Sequence, residues 1–128
     1  MTSGLADTSV FIAAESGQAA RLDRLPDFLA ISVITIGELR AGVLAAPDVG
    51  TRDRRLATLT NALALDPIPI DRAVAETWAR LRVALREFGL RMPVNGSWIA
   101  ATAMTLGIPV VTQDDQFVHA PGLEVIHV

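Results

Sequence analysis

The sequence predicts an α/β fold, a mostly parallel sheet covered by helices on both faces. Apolar runs of strand length alternate with longer segments whose apolar residues recur at helical spacing. Connections of that length are crossovers, which join parallel strands and lay helices on either face. The 128 residues, 51% apolar, suit one domain with one core over residues 1–128.

A short first strand ends near Ala6, and a helix follows over Thr8–Glu15. A short helical piece surrounds Arg21–Leu25. Phe28–Val33, apolar with β-branched residues, is the second strand. Thr35–Ala45 and Thr51–Ala64 form a helical hairpin around the turn Ala46-Pro47-Asp48-Val49-Gly50. Ile36, Leu39, Val43 and Leu44 are spaced for one helix, and Leu56, Leu59 and Leu63 for the other. Leu65–Ile70 is a strand broken by prolines, hence near an edge. Asp71 caps a long helix to Phe88, with Val74, Trp78, Leu81, Leu85 and Phe88 on its buried stripe, and Gly89 ends it. Asn95 caps the next helix, which stops at Gly107. Val110–Thr112 and Leu123–Val128 are the last strands.

Composition removes several function classes. With no cysteine there is no disulfide framework, thiolate zinc site or cysteine nucleophile, and a reducing compartment fits. With no lysine, phosphate sites built on an ammonium fall away. The first residues lack the basic start and apolar run of a secretion signal, and no apolar stretch is long enough to span a membrane. A cytoplasmic protein is expected. The net charge of −3 argues against a general nucleic-acid binder. Its distribution is more informative. Residues 40–91 hold nine arginines and six acids, a balance of +3, and the remainder carries −6. The division suits an acidic site flanked by a basic substrate-holding middle, although ordinary solvated helix faces produce the same pattern.

The candidate chemistry lies in the acids. In parallel sheets ligands bind beyond the carboxyl ends of the strands. Asp7 directly follows the first strand, Asp114 and Asp115 follow Val110–Thr112, and Glu38 lies one turn into the helix after the second strand. Each has a structural alternative. Asp7 can cap a helix, Thr35-Ile36-Gly37-Glu38 matches a capping box, and Asp114 and Asp115 suit a turn. Their convergence on one rim favours a cation among them, because packed carboxylates repel. Oxygen ligands select magnesium or manganese, the outline of metal-assisted hydrolysis. His119 and His127 receive no catalytic role.

Four segments together resemble the PIN-domain ribonucleases. They are Leu5-Ala6-Asp7-Thr8-Ser9-Val10, Ser32-Val33-Ile34-Thr35-Ile36-Gly37-Glu38-Leu39, Val94-Asn95-Gly96-Ser97-Trp98-Ile99-Ala100-Ala101-Thr102-Ala103 and Val111-Thr112-Gln113-Asp114-Asp115-Gln116-Phe117. Their order and spacing fit over the whole chain, and size and wording look most like VapC, the toxin of VapBC toxin–antitoxin pairs. The resemblance implies a three-layer α/β/α sandwich with about five parallel strands. It implies a Mg2+- or Mn2+-dependent endoribonuclease acting on tRNA or ribosomal RNA, with Asp7, Glu38 and Asp114 as metal-holding catalytic acids. Ser9, Thr112 and Asp115 support them, the two hydroxyls positioning water or phosphate. It also implies a homodimer and a VapB-type antitoxin gripping a groove near Leu39, Val43, Leu56 and Leu59, although plain core packing accounts for most of those four.

Position 96 departs from the pattern, which calls for aspartate on the first turn of its helix, where the dipole favours an anion. Glycine offers no ligand, and the helix does not need it, since glycine costs up to about 1 kcal/mol relative to alanine. Asn95 points about 100° away and is no easy substitute. A deliberate disabling substitution and a natural loss both explain Gly96, the first being favoured. Either way, weaker metal binding and strongly reduced cleavage are expected, with fold and antitoxin binding retained. The arginines of the central helices and the loop after them, such as Arg80, Arg82, Arg86 and Arg91, are candidates for phosphate contacts. Two rivals remain: a catalytically inactive PIN-like module that binds RNA or antitoxin, which Gly96 favours, and a metal phosphoesterase acting on DNA or a small ester.

Overall fold

The structure, a computed structural model, describes residues 1–18, 21–117 and 120–128. In chain order the elements are β1 (Ser3–Ala6), α1 (Thr8–Glu15), a 3-10 turn (Leu22–Arg24), β2 (Phe28–Ala30), α2 (Val33–Leu44), α3 (Val49–Leu63), α4 (Arg72–Glu87), α5 (Val94–Leu106), β3 (Val110–Thr112) and β4 (Val125–His127). The strands pair in parallel in the order β2-β1-β3-β4. β1 passes its chain to a neighbour on one side and meets β3 on the other. The order therefore reverses between β1 and β3, where an open parallel sheet has its ligand crevice.

Two apolar clusters hold the layers. Leu5 and Val110 of the sheet meet Val74, Leu81 and Leu85 of α4 and Ile99 and Ala103 of α5 in the larger one. Ile31 joins Leu39, Val43, Leu59 and Ala62 of the α2–α3 hairpin in the other. The close fit of β1 explains one glycine. A Cβ on Gly4 would lie 2.6 Å from Val111 Cγ2 and 3.0 Å from Pro26 Cγ, so no larger residue enters without displacing core atoms.

Several expectations are corrected. The Leu65–Ile70 segment makes only an isolated parallel bridge, Ser32 to Ile68, so the described sheet has four strands rather than five. Ile68 donates to Ile31 O at 2.8 Å and accepts from Val33 N at 3.0 Å, but Pro67 and Pro69 on either side have no N–H to extend the ladder. α2 begins at Val33 with Ser32 as its cap, two residues before the expected start. α3 takes in Val49 and Gly50, with Asp48 capping it. Asp71 caps α4 by accepting from Val74 N, as the sequence indicates, but Phe88 is 69% exposed and leaves the buried stripe. Pro93, not Asn95, stands at the start of α5, without a side-chain cap. Of the hairpin leucines and valine expected to line a groove, Leu39, Val43 and Leu59 are core residues, and only Leu56, 42% exposed, reaches the surface. The apolar surface of the hairpin is instead Leu44, Val49, Leu56 and Leu63. Among the described residues no helix is long and apolar enough to cross a membrane.

Candidate metal and phosphodiester site

A cleft of about 700 Å³ opens at the carboxyl ends of β1 and β3 and is lined by Asp7, Thr8, Ser9, Glu38, Gly96, Asp114 and Gln116, among others. The fold brings these distant residues together because α1, α2 and α5 all begin at this rim. Helices that return across a parallel sheet place their N-termini where the strands end.

Asp7 sits at the junction of β1 and α1 and is 2% exposed. Its carboxylate caps α1 by accepting from Ser9 N at 3.0 Å and also accepts from the Ser9 hydroxyl, while Thr112 Oγ1 donates to its other oxygen at 2.9 Å. Capping and site membership are thus one arrangement. Burial pushes the Asp7 carboxyl above its ordinary value. The Ser9 and Thr112 hydrogen bonds oppose that shift, and the charge of Asp114 adds to it.

Glu38 accepts from Thr8 Oγ1 at 2.7 Å. The capping-box alternative for Glu38 is excluded, since Ser32 caps α2 and Thr35 is buried inside the helix, its hydroxyl 3.0 Å from that of Thr8. Asp114 N donates to Thr112 Oγ1 at 2.9 Å, and Gln113 N to Ser9 Oγ at 2.9 Å, so Ser9 and Thr112 tie the loop after β3 to the start of α1. Asp115 turns away from the cleft. Its side chain is 95% exposed and stands 3.5 Å from His127 Nε2. His119 lies outside the described residues.

Two further residues, Thr8 and Gln116, belong to the site without a signal in the sequence. Thr8 was visible beside Asp7, but its bridge to Glu38 depends on how α1 faces α2. Gln116 donates from Nε2 to Asp114 Oδ2 at 3.1 Å, and its Oε1 crowds the point where a Cβ on Gly96 would stand. Arg82, Arg86 and Arg91 line a second cleft of about 550 Å³ around the Gly89 turn, and the chain runs from it directly into Pro93 and Val94 of the first. Arg82 Nη1 donates to Met92 O at 3.2 Å and lies over Trp78, itself stacked on Trp98 at 4.2 Å.

The donor set fits a hard divalent cation, being all oxygen and rich in carboxylate. The carboxylates are spread, however, and among the described residues no group of three acidic or imidazole side chains closes on a single point. Each is held by its own partner, Asp7 by Ser9 and Thr112, Glu38 by Thr8, Asp114 by Gln116.

The PIN domain family matches residues 5–123. The chain is 46% identical to Ribonuclease VapC5 of Mycobacterium tuberculosis, over 98% of this chain and 95% of that protein. It is 49% identical to Ribonuclease VapC4 of the same organism, over 95% and 94%. The crystal structure of VapBC-5 from Mycobacterium tuberculosis superposes with a TM-score of 0.91 at 43% identity, covering 100% of both chains. VapBC2 from Rickettsia felis, bound to a promoter DNA fragment, gives 0.84 over 98% of each chain at 21% identity, a likeness of fold alone. The chain belongs to the PIN-domain family and, within it, to the VapC ribonucleases.

Proposed function

We propose that this chain is a VapC-type toxin, an Mg2+- or Mn2+-dependent endoribonuclease of tRNA or ribosomal RNA, slowed by the missing carboxylate at position 96. The observation that carries this reading is the meeting of Asp7, Glu38 and Asp114, from three separate parts of the chain, on one cleft at the β1–β3 crevice. Those three acids would hold the ion. When bound, it supplies Lewis-acid charge against the phosphodiester and acidifies a water.

The chain's own groups do the rest. Ser9 and Thr112 fix the Asp7 carboxylate from behind, leaving it no freedom to turn. Thr8 fixes Glu38, and a carboxylate of this set accepts the proton of the attacking water. Arg82, Arg86 and Arg91 hold flanking phosphates, and a small pocket lined by Arg91, Met92 and Gln116 lies between their cleft and the acidic one. A VapB-type antitoxin is the proposed partner, since similar solved structures include VapBC systems, and the exposed Leu44, Val49, Leu56 and Leu63 of the hairpin suit it. A homodimer in the cytoplasm completes the assignment.

Gly96 favours a second reading, an inactive module that binds RNA or antitoxin only. Prolonged incubation with labelled RNA, and with DNA of the same sequence, separates the possibilities. Slow manganese-dependent cleavage of RNA alone, lost in Asp114→Ala and with a chelator, is the expected result. Cleavage of DNA as well points to a different phosphoesterase, and cleavage that survives Asp114→Ala refutes the site.

A further inference from the structure

Gly96 and Gln116 are twenty positions apart in sequence and share one volume in space. A Cβ on Gly96 would lie 3.1 Å from Gln116 Cδ and closer still to its Oε1, far inside contact distance. The amide of Gln116 therefore occupies the place where any side chain at position 96 would begin. The same amide donates from Nε2 to Asp114 Oδ2 at 3.1 Å, and both residues line the acidic cleft. This places a neutral oxygen donor next to the first turn of α5, on the spot that a side chain at position 96 would claim.

From this geometry, and resting on the metal-dependent reading of the site given above, we infer that the Gln116 side-chain oxygen is a ligand of the divalent ion, standing in for the carboxylate absent at Gly96. Amide oxygens are ordinary ligands of hard divalent cations, alongside carboxylates and water. The exchange keeps an oxygen at this corner of the site but removes a negative charge, so the site binds metal more weakly than one with a carboxylate there. It also makes the two positions interdependent: Gln116 can serve only while residue 96 has no side chain. Asp114 takes part because Gln116 holds its carboxylate on the cleft side when no ion is present.

Metal affinity reads this directly, with no need for catalysis. Mn2+ is titrated into the full chain and the free ion is counted from its paramagnetic resonance signal, with the melting temperature of each variant as a check on folding. Gln116→Ala is expected to weaken Mn2+ binding by about tenfold or more, at least the loss typical of a partner that only supports a ligand. Gly96→Ala evicts the amide with its methyl group and is expected to weaken binding to the same extent, and the two changes together add nothing further. Gln116→Glu decides between ligation and mere support of Asp114. As a ligand, glutamate tightens binding. As a support it fails, because it has no N–H to give Asp114 and repels it instead. Unchanged affinity in Gln116→Ala, or weakening in Gln116→Glu to the level of Gln116→Ala, overturns the inference while leaving the metal site intact. If neither this chain nor Gly96→Asp takes up Mn2+, the metal-dependent reading itself falls, and the role of Gln116 with it.

Discussion

At the scale of single residues, Asp7 carries two jobs that conflict without a cation. Its carboxylate must cap α1, and it must remain buried next to Asp114. Burial first, and the charge of Asp114 second, hold its carboxyl above the ordinary value against the hydrogen bonds of Ser9 and Thr112. The folded chain thus keeps this proton to higher pH than the unfolded chain. The associated stability is complete below the unfolded carboxyl range, about pH 3.9. It is lost as pH rises through the higher folded value. Without metal, Asp7→Asn should therefore raise the melting temperature at pH 7 and change it little at the acid end. Thermal unfolding followed by circular dichroism across that range checks this, and an equal effect at every pH would contradict it. With Mn2+ present the order should reverse, because the ion favours the charged form. The acids themselves were legible in the sequence, since Asp7 and Asp114 stand at the ends of readable strands and Glu38 one turn into a readable helix. Their helpers were not. Thr8 and Gln116 acquire meaning only from which side chain faces which across the cleft, a relation that no spacing encodes.

At the scale of elements, periodicity located every helix and most strands, and the differences gather where local chemistry competes. Pro67 and Pro69 withhold donors on both sides of Ile68, reducing a predicted strand to a single bridge. Two acceptable caps, Ser32 and Thr35, compete for the start of α2, and Ser32 wins because Thr35 is needed inside, against Thr8. The site depends on β1 lying close to β3, and Gly4 makes that approach possible. Gly4→Ala should lower stability by about 1–3 kcal/mol, the usual cost of overpacking a filled core, measured by chemical denaturation. A neutral effect would mean that Val111 and Pro26 give way more easily than their tight fit suggests. Leu59→Ala, within the α2–α3 core, should cost about 2–5 kcal/mol. If Leu59 instead belonged to a partner-binding face, stability of the free chain would hardly change and antitoxin binding would fall.

At the scale of the whole molecule, the division of charge takes on a spatial meaning. Between the acidic cleft and the arginine cleft lies a small pocket that shares Gln116 with the first and Arg91 and Met92 with the second, and we propose that an RNA strand crossing the acidic cleft extends towards these arginines. Replacing Arg86 and Arg91 with glutamine should weaken RNA binding and flatten its salt dependence by about one unit of slope for each phosphate no longer neutralised. Filter binding at several salt concentrations measures this, and an unchanged slope would remove these arginines from the substrate path. Cleavage of total tRNA and ribosomal RNA with manganese is the decisive test of a metal-dependent ribonuclease short of one carboxylate. The chain is compared with Gly96→Asp, each with a chelator control. Gln116 Oε1 is the end of a flexible side chain and can swing aside to admit the new carboxylate. Strong, chelator-sensitive cutting by Gly96→Asp and far slower cutting by the chain itself are expected. Equal rates from the two would contradict this, and no cutting by either would leave the binding-module reading in its place.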